Sequence, residues 1–113
     1  MAHYVITERY THQWKALPFT TNSGRAIPIF DDEKRAQGFI DANWESLGPG
    51  WKPQLLWSHQ LAYVLERYAR EEGAQVVVLD PPPAPLTHSV EVYEVEVVEI
   101  EQFITLLREQ NGL

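Results

Sequence analysis

The chain has 113 residues, 44% of them hydrophobic, with a formal net charge of −7 and no cysteine. That length suits one ordinary domain over residues 1–113 with a core of its own, and leaves no room for a second. The missing cysteines exclude disulfides, thiolate metal sites and cysteine nucleophiles, and a carboxylate-dominated surface repels phosphate backbones, so no nucleic-acid partner is expected.

The opening Met1-Ala2-His3-Tyr4-Val5 lacks a basic stretch leading into a long apolar core, and no apolar run approaches the roughly 20 residues of a membrane span. The expectation is a cytoplasmic protein without membrane association. Acids and bases balance over residues 1–56, whereas Arg108 is the only base after Glu71. The negative half keeps a small protein in solution.

In chain order, His3 to Tyr10 alternates loosely and carries β-favouring Tyr4, Val5, Ile6 and Thr7, which predicts a first strand. Residues 11–24 read as a short strand or an extended arm ending in a turn at Asn22 to Gly24. Arg25 to Phe30 reads as a strand. Pro28 places it at a sheet edge, or else faces an unpaired position, because proline lacks the amide hydrogen that a ladder needs on both sides.

Asp31 or Asp32 is positioned to cap a helix reaching about Glu45, with Ala36, Phe39, Ile40, Asn43 and Trp44 on its core face. Leu47 to Pro53, with two glycines and two prolines, reads as a loop. Gln54 to Trp57 then reads as a short strand, Ser58 as an N-cap, and His59 to about Glu72 as a helix burying Leu61, Val64, Leu65, Tyr68 and Ala69 and ending at Gly73.

Val76 to Leu79 has no polar alternation and predicts a central strand covered on both faces. Asp80 and the prolines after it form a stiff exit. Val90 to Val98 reads as a long final strand. Its apolar residues change phase near Tyr93 and Glu94, which requires a bulge or different cover on its two faces. Ile100 to Glu109 closes the chain as a helix burying Ile100, Phe103, Ile104 and Leu107. These elements define an α/β fold with α+β character, a mixed sheet of about four to six strands packed with three helices.

The order Ile27-Pro28-Ile29-Phe30-Asp31-Asp32, then Gly73 to Pro81, then Glu99-Ile100 to Leu106-Leu107 resembles the N-terminal domain of the SseB (enhanced serine sensitivity protein B) family over roughly residues 17–108. Asp80 stands where that pattern has Asn before Pro, and the acidic strand near the end also departs from it. The resemblance implies a small α/β fold and supplies no catalytic residues.

Few residues point to chemistry. His3, His12, His59 and His88 are not spaced as helical pairs, so no metal site is expected. The Asp31-Asp32-Glu33 triplet has capping as its simpler role and lacks the oxygen-ligand alternation of a calcium loop. Ser58 and His59 are adjacent and face different sides of a helix, and Gly48-Pro49-Gly50 is followed by Trp51 rather than the Lys-Ser/Thr of a phosphate loop. No catalytic residue and no cofactor is expected.

Aromatic residues stand out more. Trp44, Trp51 and Trp57 bracket the Gly-Pro loop, and tryptophan anchors interfaces by burying a large area with few rotatable bonds. The expected function is therefore non-enzymatic binding to a protein partner or to a second copy of the chain. The candidate contact residues are Trp44, Trp51, Trp57 and His59. The alternative is a small ligand-binding protein or enzyme with its site at the carboxyl ends of the strands near Asp80, the favoured ligand position in open α/β sheets.

Overall fold

A computed structural model describes residues 2–8, 19–21, 24–43, 45, 50–81 and 96–110. In order these form β1 (Ala2–Glu8), β2 (Phe19–Thr21), β3 (Gly24–Ile29), α1 (Glu33–Ala42), β4 (Trp51–Trp57), α2 (Ser58–Glu71), β5 (Val76–Leu79), β6 (Glu96–Glu99) and α3 (Ile100–Gln110). Among the described residues the strands make two sheets, an antiparallel pair β1-β4 and a mixed sheet in the order β2-β3-β5-β6. The α/β class expected from the sequence is the observed one.

The run Val76 to Leu79 is indeed interior. β5 lies parallel to β3 on one side and antiparallel to β6 on the other. Val77 packs in the core beneath α2 and α3, while Val76 and Val78 are buried with Ala26 on the opposite face. A strand covered on both faces gains nothing from polar alternation, and this one has none.

β3 is not at an edge, since β2 and β5 flank it. The physical reason that Pro28 is tolerated is the second one considered. Phe30 exchanges two backbone hydrogen bonds of 2.9 Å with Tyr4, so every second residue back from it turns its amide position away from β5. Pro28 is one of these. β2 pairs only with Gly24 to Ala26, and Pro28 falls between that pairing and the Tyr4–Phe30 bridge.

α1 starts as expected, with the Asp32 carboxylate accepting the Arg35 amide at 2.8 Å. It stops at Ala42, short of Glu45. Asn43 folds its side-chain amide back onto the Phe39 carbonyl at 2.9 Å and turns its own N–H to Ile40, which tightens and ends the last turn.

β4 begins at Trp51, so Trp51, Lys52 and Pro53 belong to a strand and not to the expected loop. Tyr4 spends its backbone groups on Phe30, so Leu55 opposite it points its own away from β1, and Pro53 shares that outward phase. A proline whose missing amide faces away from the ladder costs β4 nothing.

Ser58 is not the N-cap of α2. Trp57 holds that position and donates its N–H to the Gln60 side chain at 2.9 Å, leaving Ser58 as the first helical residue, buried. At the other end Gly73 takes φ +70°, and the Tyr68 carbonyl accepts from both Glu72 and Ala74.

The first strand is described from Ala2 to Glu8, and Arg9 and Tyr10 lie outside the described residues. The final strand is described from Glu96 to Glu99, and the phase change at Tyr93 and Glu94 lies outside the described residues. All four apolar residues expected to anchor α3 are buried. The main core joins Val5, Ile27, Ile29 and Val77 to α2 and α3, and a second cluster on the opposite face packs Ile6 and Phe30 against Ala36, Phe39 and Ile40 of α1.

Candidate functional site

β4 presents a two-sided surface whose alternation decides which aromatics are available. Leu56 points into the main core with Val5, while Trp51, Pro53, Leu55 and Trp57 share the other face. α1 covers one end of that face, packing Trp51 with Ile6 and Phe30. The far end is open: Leu55 is 39% exposed and Trp57 54%, with half-buried Tyr4 across the strand from Leu55.

Trp51 and Trp57 therefore do not act together. Six residue steps along the strand set them about 20 Å apart, and the first is half-buried against the core cluster under α1. Trp57 has a fixed backbone, since the Gln60 side chain takes its amide, and presents its indole outward. His59 is exposed in the first turn of α2, beside Trp57 in sequence. Trp44 lies outside the described residues, as do His12 and His88. Leu55 was not singled out from sequence, although its two-residue spacing from Pro53 and Trp57 placed it on their face.

Asp80 sits elsewhere, at the carboxyl end of β5, in the left-handed region at φ +48°. Its N–H donates to the Ile29 carbonyl at 2.7 Å, its Oδ1 accepts the Asp31 N–H at 2.9 Å, and its Oδ2 lies 3.3 Å from the Arg35 guanidinium. One side chain thus ties the ends of the parallel strands β3 and β5 to the first turn of α1. Each carboxylate oxygen is engaged in one contact, which fixes the side chain in place.

Asp31 joins this cluster. Hydrogen bonding to Asp80, then burial and repulsion from the same carboxylate, push its carboxyl above the ordinary range. His3 completes it. The residue is only 8% exposed, its Nε2 has no hydrogen-bond partner, and its ring meets Phe103 edge-on at 5.9 Å. Burial lowers its pKa, opposed by Asp31 and, more weakly, Asp80. The sequence spacing of 49 residues between Asp31 and Asp80 carries no signal of their meeting. Among the described residues no set of three His, Cys, Asp or Glu side chains is arranged to hold a metal ion.

Among the described residues a shallow depression of about 470 Å³ lies between α2 and α3 and is bounded by the Glu66–Arg108 ion pair together with Arg70 and Glu101. Among the described residues no helix is long and apolar enough to cross a membrane. Comparison of the chain with known protein families and with characterised proteins finds no match.

Proposed function

We propose that this protein is a non-enzymatic, cytoplasmic interaction domain whose contact surface is the open end of the β4 face, and that a second copy of the chain occupies it. The observation that carries the reading is Trp57, held by a pinned backbone yet 54% exposed, on one face with Leu55 and Tyr4. A rigid, uncovered aromatic beside an aliphatic side chain has the composition of an interface anchor.

The choice of a second copy rests on charge. The molecule carries a net −7, which opposes self-contact over most of its surface. β4 holds no acid at all, and its one charge is Lys52 on the opposite face. A dyad placed at Leu55 and Trp57 brings neutral apolar groups together, whereas one at β6 would oppose Glu96 and Glu99 to their own copies. The resemblance to the SseB N-terminal domain belongs to the same proposal. It is supported by the strand-to-helix passage at Ile27 to Asp32 and by the placement of α3, and it names no partner.

The rival reading, a ligand or catalytic site near Asp80, has to use a carboxylate whose two oxygens already hold the Asp31 amide and the Arg35 guanidinium. Sedimentation across a concentration series tests the preferred one. The wild type should show a monomer–dimer equilibrium that Leu55→Ser with Trp57→Ser abolishes, while the melting temperature at high dilution stays close to that of the parent, because Leu55 is partly exposed and serine is itself a favoured N-cap at position 57. A wild type that remains monomeric throughout overturns self-association.

A further inference from the structure

The seam between the two sheets is narrow. Among the described residues, one antiparallel bridge joins β1 to the end of β3, the paired hydrogen bonds of Tyr4 and Phe30. The residue before Tyr4 and the residue after Phe30 stand opposite each other in that register, and they are His3 and Asp31. A buried imidazole and a carboxyl thus flank the seam on one side.

His3 is unusual among buried polar residues because its Nε2 lacks any partner. A neutral imidazole tolerates this against the Phe103 ring. An imidazolium does not, since both of its nitrogens become donors and the surrounding contact is apolar. We propose that His3 is an acid-sensitive catch: on taking a proton its ring leaves Phe103 for the carboxyls beside it, and the seam between β1 and β3 loosens while the β3-β5-β6 sheet stays folded.

The groups around it set the direction of the response. Asp31 at the end of β3 and Asp80 at the end of β5 attract the imidazolium, the amino group at the start of the chain repels it, and burial against Phe103 of α3 disfavours it most. Leu56, opposite His3 on β4, is fully buried and offers no acceptor. Arg35 of α1 holds Asp80 and competes for the same carboxylates. The proton is therefore accepted below the ordinary histidine value, and the carboxyl pair provides the place to which the charged ring moves. The inference does not depend on what binds the β4 face.

Amide exchange on the full-length chain reads it directly. Between pH 7 and 5, after correction for intrinsic rates, the Tyr4 and Phe30 amides should lose more protection than those of Val77 and Val78, since between a buried histidine's unfolded and folded values each pH unit changes an opening equilibrium by up to about tenfold. His3→Phe, and independently His3→Leu, should remove the difference. Seam and β5 amides that lose protection in parallel overturn the proposal. So does a seam indifferent to pH, or one whose acid response persists in either variant. The wild-type comparison decides the matter if neither variant folds.

Discussion

Asp80 shows how a single side chain at a strand end can look like a ligand residue and act as a fastener. Its oxygens hold the Asp31 amide and the Arg35 guanidinium at a backbone conformation that only Gly, Asn and Asp adopt readily. Asp80→Ala should cost about 1.5–3 kcal/mol in chemical denaturation, the range for hydrogen bonds to a charged group. Asp80→Asn should cost less, because it keeps an acceptor for Asp31 and suits the same φ. Equal losses in the two variants would mean that the Arg35 contact alone matters. Asp31 carries a pH signature with a definite sign. Its folded-state pKa is raised, so the folded protein holds that proton more tightly than the unfolded chain, and the associated stability is complete below the unfolded value of 3.8 and lost as pH rises through the folded value. Asp31→Asn imitates the protonated form. The variant should match the wild type in acid and melt higher at neutral pH, and a lower melting point at pH 7 would show that the charged carboxylate makes a favourable contact instead.

At the scale of elements, the C-terminus of α2 offers a clean case. A Cβ at Gly73 would have open space around it, so Gly73→Ala tests the φ of +70° alone and should cost about 1–2 kcal/mol by thermal or denaturant unfolding. This stop was legible in the sequence because a glycine after a helical apolar stripe has a local cause. So were β5, written in four apolar residues, and the buried stripe of α3. What escaped was set by partners distant in the chain. Pro53 looked like a loop residue because it closes a run of two glycines and two prolines that no helix continues, and only the outward phase fixed by Tyr4 bonding to Phe30 makes it acceptable in β4. Ser58 has the chemistry of an N-cap, but the bonding of Gln60 to Trp57 moved the cap one residue earlier. The candidate surface was half legible: tryptophan count and loop position drew attention to Trp51 and Trp57 alike, and composition says nothing about which of them α1 will cover. His3 and the Asp31–Asp80 contact were invisible because their proximity is created by sheet register.

Across the whole molecule, stability should be distributed as the layers are. β5 has strands on both sides and buried side chains on both faces, so its amides open only with the core. β4 is paired on one side by β1, and its outward Leu55 amide has no acceptor among the described residues. The two-stranded sheet meets the larger one through the Tyr4–Phe30 bridge and through the helices packed on its faces. Native-state exchange at neutral pH should therefore order the amides in three groups. Val77 and Val78 should exchange at the rate of global unfolding and respond to added denaturant with the full slope. Tyr4 and Phe30 should open sooner, with a smaller slope, as the seam parts without loss of the central strands. Leu55 should exchange fastest and depend little on denaturant, because no opening is needed to expose a donor that already faces outward. If Leu55 becomes as slow as Val77 only as protein concentration rises, the outer edge of β4 is covered by a second copy; a slow Leu55 at high dilution would place the cover of that edge within the chain itself.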